Sequence, residues 1–301
     1  MATLIACGSG NPFVAETETA TETETATETE TESTSIISDE IAGNLKSFSY
    51  DATTKTLTAS VYALDSTPVD VVYNRDVTRD IGAYEAYTVQ EDSLDRFFIA
   101  MVGESADGSI QSGVVGDGGQ FNRVLQGAYY KREGDFDAPD IGTGPAAGQV
   151  SYAGDYAALT NIQSPTTVPG VDPSLLPGEP IMISGQVFLN ANFSDMAVNG
   201  GIYDRQLLLT TPVDLPDLAL IVTDIGTDGS FTGEVEFSGV VEQDIGDYGG
   251  VFGGTDSAYV GGATSLSEFW DDIDDELERG FFVLTQCGVS GDASICSNVS
   301  P

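Results

Sequence analysis

Gly249-Gly250-Val251-Phe252-Gly253-Gly254, followed by Ala258-Tyr259-Val260-Gly261-Gly262-Ala263, is the stretch whose reading decides the fold. Valine and aromatic residues suit a pleated, half-buried surface. Glycine inside such a run marks a bend, a bulge or a close approach of two backbones. A small barrel needs points of this kind to turn its corners. A glycine-rich phosphate cradle would need a strand-to-helix context and usually a lysine, and neither accompanies these glycines.

The same style extends in both directions. Eight segments read as strands: Gln149 to Tyr156, Ile181 to Asn192, Gly200 to Leu209, Leu218 to Asp224, Phe231 to Val241, Gly249 to Phe252, Ala258 to Leu266 and Gly280 to Gln286. Eight antiparallel strands are enough to close a small barrel and remove exposed edges. Between the first two, Ser164 to Pro180 holds Pro165, Pro169, Pro173 and Pro177 and reads as an excursion. Upstream, Lys46 to Tyr50 and Thr56 to Tyr62 flank a short polar turn, a hairpin signature. Val69 to Tyr73, Ala83 to Val89, Phe97 to Val102 and Ala128 to Arg132 continue the series. Asp107-Gly108 and Asp228-Gly229 each stand between strand-like runs, as a tight hairpin turn requires. Only Ser267 to Glu278 carries a marginal helical stripe. Residues 133–147, rich in Gly, Pro and Asp, read as a linker.

Ahead of the β segments, Glu16 to Glu32 alternates Thr and Glu with no apolar face to bury. Such a tract stays disordered and is extended by glutamate repulsion, an acidic tether. The whole chain of 301 residues carries 48 Asp and Glu against ten Lys and Arg, a net charge of −38. That balance excludes nucleic-acid binding and docking on anionic lipid headgroups. It favours a cation or a basic protein face as partner. There is no histidine, which removes histidine metal sites and Ser-His-Asp or Cys-His catalysis. No run of about 18 apolar residues is long enough to span a bilayer as a helix.

Leu4-Ile5-Ala6-Cys7-Gly8-Ser9-Gly10 resembles a bacterial lipobox, in which the cysteine becomes the lipid-bearing N-terminus. Only Met1 to Ala6 precede Cys7, so the apolar run and charged start of a signal peptide are incomplete here. With Cys7 taken by lipid, Cys287 and Cys296 remain to close a C-terminal disulfide, which needs an oxidising compartment. In a cytosolic protein all three would stay reduced.

Gly148-Gln149-Val150-Ser151-Tyr152-Ala153-Gly154-Asp155-Tyr156, together with the two glycine-rich runs, resembles the β-barrel lobe of transferrin-binding protein B and related surface lipoproteins, over roughly residues 145–287. That lobe reads G-x-F-Y-G-P-x-A-x-E-L-G-G near its last strands. Phe252-Gly253 and Gly261-Gly262 keep the aromatic-Gly step and the Gly pair. Gly254 and Thr255 stand where the family has Pro and a small residue, and Tyr259 replaces the acidic residue. The resemblance implies an eight-stranded barrel, lipid-anchored at the outer membrane, that binds a partner protein or ligand. The motif is scaffold, so no binding residue carries over.

Two acidic clusters are candidate cation sites. Asp272, Asp274 and Glu276 have the alternate spacing used by calcium loops, without the central Gly or the twelfth-position Glu. A solvated acidic loop or short helix is the plainer reading. Asp135, Asp137 and Asp140 read as linker. A carboxylate-only hydrolase needs a specific acid pair, and among 48 acids any pair can be nominated. Trp270, the sole tryptophan, reads as core at the barrel end.

The expectation is therefore an all-β protein. A disordered tether (1–43) leads to an N-terminal β domain (44–132), a linker (133–147) and an eight-stranded antiparallel barrel with a disulfide-closed tail (148–301). It is expected to be a non-catalytic surface protein, anchored to the outer membrane through Cys7. Its partner would be an unknown protein or small ligand; it would need no cofactor, with calcium at Asp272, Asp274 and Glu276 as the one candidate. A structural envelope protein and a carboxylate-based hydrolase are the alternatives.

Overall fold

The computed structural model describes residues 37–62, 68–119, 123–144, 147–164, 169–170, 172, 176–270 and 275–298. Cys7 and the Thr/Glu tract lie outside them. A one-turn helix, α1 (Asp39–Ala42), is capped by Ser38, whose hydroxyl accepts from the Ile41 amide. Seven strands follow: β1 (Leu45–Asp51), β2 (Thr56–Tyr62), β3 (Pro68–Arg75), β4 (Glu85–Val89), β5 (Phe98–Glu104), β6 (Ile110–Asp117) and β7 (Gln126–Arg132). They form one antiparallel meander in chain order. The sheet curls until its ends nearly meet, where the Asn44 amide donates to the Gln126 carbonyl at 2.8 Å and the Gln126 amide to the Asn44 side chain at 3.2 Å.

The second sheet contains β8 (Gln149–Ser164), β9 (Glu179–Asn192), β10 (Ala197–Leu207), the two-residue β11 (Val213–Asp214), β12 (Leu218–Asp224), β13 (Ser230–Phe237), β14 (Asp244–Gly253), β15 (Tyr259–Ser267) and β16 (Leu277–Gln286). β16 pairs with β8 and β9 with β10, so eight strands close into a barrel and β11 hangs on β10. Each of the eight segments expected from the sequence falls on one of these strands. The Pro-rich excursion is shorter than expected, because Ser164 and Gln163 already pair with Glu179 and Pro180.

The hydrophobic residues separate into three layers. Phe48, Leu57, Tyr73, Tyr87, Val102 and Val115 fill the concave side of the first sheet. Ile41, Tyr84, Met101, Ile110 and Tyr130 pack against Ala157, Leu159, Val251, Ala263 and Phe281 on the outer wall of the barrel. Tyr152, Ile183, Leu189, Ile202, Phe252, Phe282 and their neighbours fill the barrel itself. Alternation along single strands makes the sorting: Tyr156 and Ala158 point in, Ala157 and Leu159 out. β6 was not among the segments read from the sequence. Every residue of it is buried, because one face lies on the first core and the other on the barrel, so no polar alternation marks it.

The paired glycines do not turn corners. β14 and β15 stay in register from Gly246↔Leu266 to Gly253↔Tyr259 without a bulge. They make room instead. A β-carbon on Gly249 would stand 2.8 Å from the Tyr130 hydroxyl, and one on Gly253 2.7 Å from Ile110 Cδ1. Gly250 and Gly262, facing inward, leave space for the rings of Phe231 and Phe282.

Candidate functional site

Strand direction fixes where the barrel presents its loops. β8, β10, β13 and β15 all end at one rim, and the connections 165–178, 208–217, 238–243 and 268–276 leave it there. The opposite rim has the short turns 193–196, 225–229 and 254–258, with the segment leading into β8 and the C-terminal tail beside them.

The short-turn rim is built for rigidity. Asn192 accepts from the Ser194 and Asp195 amides. Asp228 accepts from the Ser230 amide at 3.1 Å and hydroxyl at 2.6 Å, and these bonds hold its carboxyl below the usual carboxylate range. Phe136 caps this end: its ring lies 6.4 Å from Phe193, which is 5.0 Å from Phe252. Asp137 accepts from the Asp256 amide at 3.1 Å, so this linker acid serves a turn. Cys287 and Cys296 are joined as a disulfide, and the Cys287 amide donates to the Ser151 carbonyl at 2.8 Å.

At the long-loop rim three of the four connections hold a buried apolar residue, Leu176, Leu215 or Phe269, whereas 238–243 is exposed throughout; two connections carry exposed apolar side chains. In 208–217 Leu215 is buried and Leu209 exposed; in 238–243 Val240 and Val241 are exposed, Val241 by 82%. In 268–276 Phe269 is fully buried and Trp270 half-buried, both against the barrel core. Glu276 is 1% exposed, and its carboxylate accepts from the Trp270 amide at 2.7 Å. One oxygen of Glu276 has no hydrogen-bond partner among the described residues. Asp272 and Asp274, the other two candidate calcium ligands, lie outside the described residues. Among the described residues no three acids or cysteines are gathered as a metal would need.

Beneath this rim the core holds a polar network absent from the sequence expectations. Arg205, 1% exposed, pairs with the fully buried Glu278 and donates to the Pro216 carbonyl at 2.7 Å. Tyr156 donates to Glu278 at 2.6 Å, and its hydroxyl lies 2.7 Å from that of Thr264. Burial, and then the Glu278 charge, raise the Tyr156 hydroxyl far above the usual phenol range. The Arg205 guanidinium also lies 5.6 Å from the Phe269 ring centre. The barrel interior is thus filled by aromatic rings at one end and by this network at the other.

The seam between the sheets is bolted by Tyr84. Its hydroxyl donates to the Asp155 carbonyl at 2.6 Å and accepts from the Val283 amide at 2.9 Å. A cleft of about 350 Å³ opens beside it, lined by Glu104, Asp155, Gln186, Thr285 and the tail residue Ser294. A shallow groove of about 380 Å³ lies on the outer wall over β8, β9 and β10.

These features define an all-β protein in which a closed eight-stranded meander barrel carries a curled seven-stranded sheet on its side. The chain is similar to solved structures of transferrin-binding protein B. For a double mutant from Haemophilus parasuis Hp5 the TM-score is 0.41 at 14% identity, over 79% of this chain and 43% of that one. For intact Ap-TbpB, with its N and C lobes, it is 0.38 at 12% identity, over 77% and 52%. For isotype 1 from serogroup B Neisseria meningitidis it is 0.34 at 14% identity, over 79% and 51%. The matched region spans about half the length of those chains. No protein-family model matches the sequence, and no curated protein matches it.

Proposed function

We propose that this chain is a surface protein of a Gram-negative outer membrane, anchored by lipid on Cys7, that binds a partner protein or ligand through the long-loop rim of its barrel and performs no catalysis. The observation that carries the reading is the asymmetry of the barrel: four longer connections at one rim, two of them with exposed apolar side chains, over a solid interior. A barrel packed with side chains is a scaffold, so recognition falls to its loops. Exposed Leu209, Val240 and Val241 supply apolar contacts of the kind found at the centre of interfaces. The surrounding acids favour a basic partner face. The disulfide fits an oxidising compartment outside the cytosol.

The anchor is tested by fractionating cells that make the full chain and its Cys7→Ala variant. Wild type is expected in the membrane fraction and the variant in the soluble one. Identical partitioning of the two would remove the lipid from the reading.

A further inference from the structure

On the barrel wall away from the first sheet, the outer faces of β10 and β12 have no close packing partner among the described elements, whereas β9 meets β6 and, through Glu179, Arg79. From the side-chain chemistry of this wall we propose a second binding site there, for a neutral oligosaccharide. It stands apart from the rim and does not depend on it.

The wall is organised around one tyrosine. Ile202 points into the barrel, so Gly201 and Tyr203 on either side of it point out. The Tyr203 ring folds back over Gly201: a β-carbon there would stand 2.6 Å from the ring carbon that bears the hydroxyl. Only glycine leaves this space. The ring therefore lies over the sheet with 37% of the residue exposed. Phe188, half-buried, is paired across the strands with Gly201 and so lies on the same outward face. Together they make a small aromatic platform.

Uncharged hydrogen-bonding groups lie beside it, with Asp155 paired to Gln186 on the far side, its carboxylate accepting from the Ala83 amide at 3.3 Å. Asn190 is paired with Ser151 on one side and Asn199 on the other, and Gln186 is paired with Tyr203. The Ser151 hydroxyl donates to the Asn190 side-chain oxygen at 2.9 Å, which leaves the amide nitrogen of Asn190 to donate elsewhere. Asn199 and Gln186 make no side-chain hydrogen bond among the described residues. The groove of about 380 Å³ runs through Ser151, Asn190 and Asn199, and none of its lining side chains is charged. In a chain with 48 acidic residues such a wall is selective for what it excludes.

Carboxamides offer a donor and an acceptor side by side, the pattern that adjacent sugar hydroxyls return. An exposed aromatic face accepts the apolar face of a pyranose ring. A cationic group finds no carboxylate in the groove, and an anionic glycan is repelled by the protein as a whole. The remaining class is a neutral, hydroxyl-rich chain that sits in the groove at Ser151, Asn190 and Asn199 and reaches along the strands to Phe188 and Tyr203, which lie outside the groove's lining.

The test uses the full chain with maltoheptaose and laminarihexaose as probes, followed by saturation-transfer NMR and titration. Saturable binding of at least one probe is expected. Tyr203→Ala should weaken it roughly fivefold or more, the loss of one stacked ring. Tyr203→Phe keeps the ring and should retain binding, which separates the platform from a folding defect. Asn199→Ala should weaken binding severalfold. Tyr62→Ala, at an equally exposed tyrosine on the first sheet, should change nothing. Absence of saturable binding to both probes overturns the proposal, as does equal weakening by Tyr203→Ala and Tyr62→Ala. So does a dimer by light scattering that Tyr203→Ala dissolves, because the wall would then be an interface between two copies.

Discussion

Ile110 of the first sheet occupies the space directly in front of Gly261 on the barrel, with the Ser112 hydroxyl beside it. A side chain at position 261 and the isoleucine cannot both be there. Gly261→Ala should therefore destabilise the protein by about 1–3 kcal/mol, the usual cost of overpacking. Ile110→Ala should destabilise it too, by leaving a cavity. The double variant should be more stable than the sum of the two losses requires, because the second change makes room for the first. Urea unfolding of the four proteins measures this directly, and strict additivity would mean the two sheets do not meet at this point.

Arg205 and Glu278 make an ion pair with no access to solvent. Breaking it from one side leaves a bare buried charge. Arg205→Met or Glu278→Gln should each cost about 3–5 kcal/mol, whereas Arg205→Met with Glu278→Leu should come much closer to wild type. If each single change were nearly neutral in a denaturant titration, the pair would not be buried as described.

Tyr84→Phe removes the hydroxyl that joins Asp155 and Val283. The Val283 amide is left without its partner, at a cost of about 1–3 kcal/mol. Hydrogen exchange should show Val283 opening faster while the amides of β12 and β13 keep their protection. Uniform acceleration through both sheets would point to global loosening instead.

Alkaline pH should unfold the protein cooperatively. Burial raises the Tyr84 and Tyr152 hydroxyls above the phenol range, and Tyr50, partly buried and donating to Glu85, is pushed up to about 12. The folded chain keeps protons that the unfolded chain releases near pH 10. Stability is thus intact below about pH 10 and falls as the pH rises toward 12 and beyond. Phenolate absorbance should rise together with loss of the β-sheet circular dichroism. Free titration of the tyrosines at pH 10 with the fold intact would contradict their burial.

The barrel strands were legible because most have one face in the core and one toward solvent, which writes the alternation into the sequence. β6 was not, because a strand covered on both faces has no polar half. The glycines were legible as unusual but not in their purpose. Whether a missing β-carbon serves a bend or a neighbour's side chain depends on what packs across from it, and Ile110 lies far away in sequence. Arg205 gave no signal either. A register shift between Tyr203 and Gln206 places Arg205 inside, next in line with Leu207, whereas charge alone assigns it to the surface. Of the candidate cation ligands, Glu276 is turned into the protein rather than out to solvent, a consequence of Phe269 and Trp270 packing on the core.

The claim that the long-loop rim is the recognition surface is tested most directly by capture on immobilised protein. Full chain, a Leu209→Ser, Val240→Ser, Val241→Ser triple variant and Tyr203→Ala are exposed to the same extract of the organism's surroundings, and retained proteins are quantified by mass spectrometry. The partner held by wild type should be lost from the triple variant and kept by Tyr203→Ala. Retention of the same proteins in the same amounts by wild type and the triple variant, or of none by wild type, would contradict it.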